Sequence, residues 1–233
     1  MKTLIYLFVV VVVFLPLPSA ICRGQETIEG TYVVFSKDQK IETDKIKVVP
    51  GEEYNDDIRS AGADAQHQVA KLVYQGGTLV SYERTSNDSS ITKATADDKF
   101  LKLLDREQLV GMFAIDEKIY LLDPNMYSQY AFLLRVFDEL KKDKARLNVC
   151  VPQVGDFMYV DVERHGTDEI KVGDNTITLN HYKFYIGKKE TVNCWVVDGK
   201  IIGIYMAIKG VYATDASYDK LYESLKKIIN RAM

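Results

Sequence analysis

The sequence predicts an α+β protein in which a predominantly antiparallel, curved β-sheet, forming a partial barrel, is packed by two amphipathic helices. Short segments that alternate apolar and polar residues recur between turn residues, which is typical of antiparallel strands. Two other segments space their apolar residues by three and four, which is typical of helices with one buried face. With 47% hydrophobic and 27% charged residues, the 233-residue chain has the composition of a folded globular protein.

Residues 1–24 are expected to be a secretory signal peptide that is not part of the fold. Lys2 precedes an apolar run over residues 4–17, and the small residues Ser19 and Ala20 follow it. This order is typical of an export signal, and the run is too short to span a bilayer comfortably. We expect cleavage after Ala20 or a few residues later. The mature chain is then expected to lack a transmembrane segment and to be periplasmic or extracellular.

Export changes how the three cysteines are interpreted. Cys22 lies so close to the expected cleavage site that its removal and its lipidation are both open. Cys150 and Cys194 are open to a disulfide in an oxidising compartment. They are equally open to being two buried free thiols, because both lie in apolar, strand-like segments.

Residues 25–233 are expected to form a single exported domain, with an internal boundary near 97–123 as the alternative. The first half is rich in strand-like segments, predicted over residues 31–36, 41–49, 66–74 and 79–85. Gly76-Gly77 is a hairpin signal, because glycine readily adopts the positive φ angles of tight turns. The acidic segment 50–64 is predicted to be a loop.

The spacing of the apolar residues changes after residue 97. Residues 97–109 are predicted to form a short helix. A second helix is predicted over 124–142, with Asp123 as its N-cap and Pro124 at its first position. A third is predicted over 215–231, with Asp215 as its N-cap and an apolar face that includes Leu225.

The segment between the second and third helices is predicted to be an antiparallel meander. Apolar residues recur at every second position near residues 147–151 and 158–162, which predicts strands there. Further strands are predicted over 176–186, 191–197 and 201–212. Asp198-Gly199 separates the last two strands and is typical of a two-residue hairpin turn.

The predicted strand 201–212 is apolar on both of its faces. Strict alternation puts Ile202, Ile204, Met206 and Ile208 on one of them. An open antiparallel sheet normally keeps one face in water, so helices, a bent-over sheet or a bound apolar ligand must cover the second face. The candidate ligand-binding residues on this apolar face are Tyr182, Phe184, Trp195, Ile202, Ile204, Met206 and Ile208.

Residues 160–212 also have a distinct order of strands and turns. A strand ending in residues 162–170 is followed by strands at 180–184 and 192–197, and Asp198-Gly199-Lys200 then leads into the long apolar strand. This order resembles exported bacterial domains of unknown function with curved antiparallel sheets, which are similar in outline to half-barrel carriers of lipoproteins and glycolipids in the bacterial envelope. The resemblance implies an envelope location and an apolar concavity, and it brings no catalytic residues with it.

Charge and motifs argue against several function classes. A net charge of −3 gives no excess positive field for a phosphate backbone, so nucleic-acid binding is not expected. The sequence contains no nucleophile elbow, P-loop, dinucleotide fingerprint or zinc-type histidine spacing, so we expect no enzyme, no metal site and no cofactor.

A polar cluster near the 166 turn is the first place to look for acid–base chemistry. Its members are Asp161, Glu163, His165, Asp168 and Glu169. A carboxylate beside an imidazole can hold a pKa near neutrality, but charged residues at a turn are more often solvated. His181, in the middle of a predicted strand, is interpreted as a hydrogen-bonded sheet residue.

Two functions follow from these observations. The first is an exported, non-enzymatic binding protein for an apolar or amphipathic ligand such as a lipid. The alternative is a structural or protein-interaction module of the cell envelope with no small-molecule ligand, whose protein partner the sequence does not identify.

Overall fold

The structure, a computed structural model, describes residues 28–49, 53–60, 66–75, 78–87, 89–97, 99–115, 118–187, 190–218 and 221–232. The expected signal peptide, Cys22 and the glycine pair Gly76-Gly77 lie outside the described residues. The strands of the first half are β1 (Ile28–Ser36), β2 (Gln39–Val49), β3 (Glu53–Ser60), β4 (His67–Gln75), β5 (Thr78–Ser86), β6 (Ser89–Ala96), β7 (Phe100–Asp105) and β8 (Gln108–Ala114). The later elements are β9 (Tyr120–Leu121), α1 (Tyr127–Glu139), β10 (Lys144–Val151), β11 (Asp156–Val172), β12 (Asn175–Ile186), β13 (Glu190–Val197), β14 (Lys200–Met206), β15 (Val211–Asp215) and α2 (Leu221–Ala232).

The described strands form one sheet in the order β8-β7-β6-β5-β4-β3-β2-β1-β15-β14-β13-β12-β11-β10-β9. Neighbouring strands are antiparallel, except for the parallel pair β9 and β10. β1 and β15 pair in the interior of the sheet and so join a meander from each half of the chain. The predicted α+β class with a predominantly antiparallel sheet is confirmed.

Two predictions in the first half are wrong. Residues 53–60, expected within a loop, form β3 because β2 and β4 pair with the backbone on both sides. Residues 100–114, which overlap the predicted helix 97–109, form the β7–β8 hairpin. The Asp97 carboxylate accepts hydrogen bonds from the N–H groups of Lys99 and Phe100, so it closes a local turn and does not start a helix.

Ring contacts show that the sheet is strongly curved. Phe132 of α1 packs on Tyr74 of β4 with 4.0 Å between ring centroids, and Tyr130 of α1 packs on Phe184 of β12 at 5.5 Å. β4 and β12 are seven inter-strand steps apart, which is roughly 34 Å along a flat sheet. One helix contacts both strands because the sheet wraps around it. The sheet is therefore an unclosed partial barrel with α1 on its concave face.

Burial on nearly all sides of α1 makes it the core of the concave face. Its buried residues are Tyr127, Ser128, Gln129, Tyr130, Phe132, Leu133, Leu134 and Phe137. A helix that is buried all round is expected inside a core and not on a surface. It begins at residue 127 and ends at 139, inside the predicted range 124–142.

Asp123 does not cap α1, contrary to the prediction. The N-cap is Met126, which makes no side-chain hydrogen bond there. The Asp123 carboxylate instead accepts a hydrogen bond of 2.6 Å from the Tyr82 hydroxyl and forms an ion pair of 3.2 Å with Arg84. Because Tyr82 and Arg84 belong to β5, this buried pair attaches the start of α1 to the sheet.

The second helix packs on the outer face of the sheet. Leu221, Leu225 and Ile229 of α2 form a separate core cluster with Ile170, Leu179, Trp195 and Ile202. The helix begins six residues later than predicted, because Asp215 is the last residue of β15. Within the described ranges, no helix is long and apolar enough to cross a membrane.

Candidate functional site

The structure divides the seven predicted ligand-binding residues among three places. Those on the concave face, in the core around α1, are Tyr182, Phe184, Ile204 and Met206. Trp195 and Ile202 lie in the outer cluster beneath α2. Ile208 is 61% exposed in the turn at residues 207–210 that separates β14 from β15. The prediction that these seven residues share one apolar face is therefore wrong. Ligand binding by these residues stays a prediction.

A β-bulge in β14 contributes to this division. Ile201 and Gly203 pair with consecutive residues of β13, which leaves Ile202 as an extra residue. An extra residue reverses the alternation of a strand. Ile202 consequently lies in the outer cluster, whereas Ile204 and Met206 lie in the concave core.

The two cysteines are buried free thiols, so the disulfide is not formed. Cys150 lies on β10 and Cys194 on β13, with β11 and β12 between them. Three inter-strand steps of about 4.8 Å place them about 14 Å apart along the sheet. A disulfide needs Cα atoms within about 7 Å of each other, which this topology does not allow.

A cavity of about 260 Å³ lies on the outer face of the sheet beside α2. Its apolar lining consists of Trp195, Tyr205, Ala207, Ile228 and Ile229. Its polar lining consists of His165, Asp168, His181, Lys183, Thr191 and Asn193. We call this cavity the outer cleft. Trp195 is fully buried at the base of this cleft, where it lies beside aliphatic side chains of α2 and hydrogen-bonding groups from β11, β12 and β13.

Hydrogen bonds order the polar side of the outer cleft. The Trp195 indole N–H donates to Asp168 Oδ2 over 2.8 Å, and His181 Nδ1 lies 3.0 Å from the same oxygen. His181 Nε2 lies 3.0 Å from the side-chain oxygen of Asn193. The His181 ring also stacks on Trp195 with 4.8 Å between centroids. These contacts confirm that His181 is a hydrogen-bonded sheet residue and hold its ring in one orientation.

A second bulge brings His165 to the cleft. Arg164 pairs with Tyr182 and Gly166 with His181, so His165 is an extra residue of β11. Gly166 has a φ of 128°, in the region that favours glycine. His165 lies 4.9 Å from His181, measured between ring centroids. Bulges often redirect a side chain towards a functional site, which is the effect here.

Burial dominates the titration of His181. It lowers the pKa of the imidazole from its ordinary value and outweighs the opposing effects of Asn193 and Asp168. Both ring nitrogens face side-chain oxygens, Nδ1 that of Asp168 and Nε2 that of Asn193, and the single proton of the neutral ring is donated to one of these two acceptors.

The polar cluster predicted from the sequence is only partly assembled. His165 and Asp168 line the outer cleft. Asp161 is bound to Arg146 at 2.7 Å in an exposed ion pair. Glu163 is bound to Lys144 at 3.0 Å and also lies 3.8 Å from His165. Glu169 is exposed and does not line the cleft. The described residues contain no group of three His, Cys, Asp or Glu side chains that is arranged to hold a metal ion.

Lys183, Thr191 and Asn193 are cleft residues that the sequence analysis missed. Lys183 follows His181 by two positions on β12, and Asn193 precedes Trp195 by two on β13. Residues two apart on a strand share a face. That spacing was the available signal, since it places the polar residues of the β12–β13 hairpin beside Trp195.

No protein-family model matches the sequence, and no curated protein matches it either. Among solved structures, the chain is similar to the crystal structure of a β-barrel-like protein of the domain of unknown function DUF1849 from Brucella abortus. That match has a TM-score of 0.47 and 7% sequence identity, and it covers 81% of this chain and 93% of that chain.

Proposed function

We propose that the chain is an exported, non-enzymatic binding protein that holds a small amphipathic ligand in the outer cleft. The observation that carries the proposal is the two-sided lining, with Trp195, Ile228 and Ile229 on the apolar side and His165 and Lys183 among the polar groups. Ligand sites commonly combine a largely apolar surface with a few placed polar groups. A cavity of about 260 Å³ is just below the roughly 300 Å³ at which drug-sized sites begin. It therefore favours a single-chain amphiphile over a two-chain lipid.

The outer cleft is a better ligand site than the concave face. α1 fills the concave side, where Tyr130 packs on Phe184 and Phe137 packs on Tyr182. A ligand at those positions would have to displace a buried helix. The outer cleft includes Trp195 of the predicted set in its lining, and a ligand there need not displace α1.

The hydrogen-bond arrangement favours binding over catalysis. A general base needs a nitrogen or oxygen that faces the substrate proton. His181 Nδ1 is engaged with Asp168, and Nε2 is engaged with Asn193. The contacts of His181 with Asp168 and Asn193 therefore order the wall of the cleft. Neither nitrogen of the His181 ring is left to transfer a proton to or from a substrate.

The charges of the cleft favour an anionic head group. Glu163, the cross-strand neighbour of Lys183, is already bound to Lys144 at 3.0 Å. No described residue forms an ion pair with Lys183. Asp168 is satisfied by Trp195 and His181, which leaves the Lys183 ammonium to bind a ligand carboxylate.

The experiment uses the single tryptophan of the chain. Purified protein is titrated with decanoate, decanol and decyltrimethylammonium below their micelle concentrations, and the emission of Trp195 is recorded. We expect decanoate to change the emission saturably, decanol to bind more weakly, and the cation to bind most weakly. Isothermal titration calorimetry supplies an independent affinity for each probe.

Two variants separate binding of the ligand head group by Lys183 from an effect of the protein's net charge. Lys183→Gln is expected to weaken decanoate binding about threefold to tenfold, as for the loss of a partly exposed charged hydrogen bond. Lys45→Gln makes the same charge change at an exposed position of β2 and should leave the affinity unchanged. A Trp195 emission that no probe alters, together with flat calorimetry, would contradict the proposal.

A further inference from the structure

One edge of the sheet that the described strands form is the apolar strand β8. β8 ends the strand order, and no described strand pairs with its outer edge. On β8, Leu109 is 60% exposed, Val110 57% and Met112 55%, and Phe100 on the adjacent β7 is 37% exposed. An exposed apolar edge strand is a template for pairing with another strand. We call these four side chains and the free backbone of β8 the β8 edge.

The opposite edge of the same sheet is protected. β9 has only two residues, Tyr120 and Leu121. The backbone N–H of Leu121 donates to the Tyr74 hydroxyl over 2.9 Å, so this donor is not available to another chain. Short edge strands and satisfied edge groups are the usual protection against unwanted pairing. Among the described strands, the β9 edge is thus protected and the β8 edge is unpaired.

β8 carries one protective feature, a bulge in which Val110 is an extra residue opposite Leu103 and Leu104, but it lacks the usual protective residues. Its sequence from Gln108 to Ala114 contains no charged residue and no proline. Apolar pairs lie on both sides of Gly111, which is close to the middle of the strand. Lys102, the cross-strand neighbour of Met112, is bound to Asp97 at 3.3 Å. Two copies of β8 paired antiparallel around their middle would therefore bring apolar residues together without opposing like charges.

We propose that the β8 edge is a self-association surface through which two copies of this chain pair antiparallel and extend their sheets into one. The pairing goes beyond ligand binding in the outer cleft and does not depend on it. Because antiparallel self-pairing uses the open edge of both copies and β9 offers no equivalent edge, assembly closes at a two-fold symmetric dimer.

The size of the surface sets the expected affinity. The four side chains expose roughly 350 Å² of apolar surface per copy. A stable interface of standard size buries about 800 Å² per partner, so the β8 edge alone lies at the weak end. We therefore expect a reversible dimer with a Kd on the order of 10 µM.

Sedimentation equilibrium tests the proposal directly. The purified chain is measured from about 1 to about 200 µM, a range that brackets the expected Kd. We expect the average mass to rise from monomer to dimer and then to stop. A chain that stays monomeric throughout would overturn the proposal, as would one that grows into open-ended assemblies.

A matched pair of variants locates the interface. Met112→Lys places two like charges near the two-fold axis and is expected to weaken dimerisation at least tenfold. Ile208→Lys makes the same change at an exposed apolar position in the turn before β15 and should dimerise like the wild type. Both variants replace exposed side chains, and thermal unfolding at low concentration checks that each is folded. Equal dimerisation of the two variants would place the interface elsewhere and refute the proposal.

Discussion

The indole N–H of Trp195 donates to Asp168 Oδ2 over 2.8 Å, and this bond joins β13 to β11 across the intervening β12. The same carboxylate oxygen lies 3.0 Å from His181 on β12. One carboxylate therefore fixes residues on two other strands. The wall of the outer cleft is rigid to the extent that Asp168 keeps both of these contacts.

The first prediction tests this shared carboxylate. Asp168→Asn keeps the side-chain shape but removes the charge that two donors share, so it should lower the free energy of unfolding by about 1–3 kcal/mol. Urea unfolding measures the loss, and a change in the Trp195 emission should accompany it. Glu169→Gln, at the next and exposed position, should stay within about 0.5 kcal/mol of the wild type. A loss of the same size in both variants would assign the effect to net charge and not to the bond.

The second prediction concerns the pH dependence of stability. Burial lowers the pKa of His181 in the folded state below its ordinary value of 6.5. Between the two values the unfolded chain binds the proton and the folded chain does not, so the free energy of unfolding falls as the pH decreases. Above pH 7 the group contributes no slope, because it is neutral in both states.

The measurement compares wild type with His181→Gln by urea unfolding between about pH 7 and pH 5. The wild type should lose stability more steeply, by at most about 1.4 kcal/mol for each pH unit. Burial raises the pKa of Glu42 and Asp138, which gives the opposite slope at lower pH, but both groups are present in both proteins. His165 and Lys183, which also face the ring, are unchanged too. Parallel stability curves would show that His181 does not titrate differently on folding.

The fold class was predictable because it rests on local patterns. Asp198 and Gly199 have φ angles of 49° and 77°, which is the two-residue hairpin turn that their sequence predicts. Most second-half strands were found for the same reason, but the strand predicted over 201–212 is wrong, because the turn at residues 207–210 divides it into β14 and β15. β3 could not be found this way, because backbone pairing with β2 and β4 holds an acidic segment whose own pattern resembles a loop.

The candidate site was less predictable because bulges decide it. A single extra residue at Ile202 reverses the side-chain alternation, and nothing in a run of isoleucines marks which one is extra. The bulge at His165 is similar, although Gly166 was a local signal for it. The bond between Asp168 and Trp195 joins residues 27 positions apart and depends on the pairing of three strands.

The third prediction concerns the buried ion pair that attaches α1. The side chains of Arg84 and Asp123 are 11% and 1% exposed, so removing Arg84 leaves the buried Asp123 carboxylate without its cation. Arg84→Met should cost about 3–5 kcal/mol, and Arg84→Met combined with Asp123→Leu should cost less than the sum of the single changes. Chemical unfolding of the three variants provides the comparison.

An exposed ion pair is the control for this cycle. Lys144 and Glu163 lie 3.0 Å apart, and the lysine side chain is 74% exposed. Lys144→Met should change the free energy of unfolding by about 1 kcal/mol or less. Strict additivity at Arg84 and Asp123 would show that the two side chains are not coupled, against the distances in the structure.

The last prediction concerns the contact between α2 and the bulged strand. Leu225 is fully buried, and Gly203 of β14 lies directly beneath it, so a Cβ added at Gly203 would overlap Leu225 Cδ1. Leu225→Ala should cost about 2–5 kcal/mol by leaving a cavity, and Gly203→Ala about 1–3 kcal/mol by overpacking. In the double variant the new methyl group fills part of the space that leucine vacates, so its cost should fall below the sum of the two. Thermal and urea unfolding measure all three. If α2 were instead a mobile lid, Leu225→Ala would barely move the unfolding midpoint and would speed ligand release, and the two changes would then add without coupling.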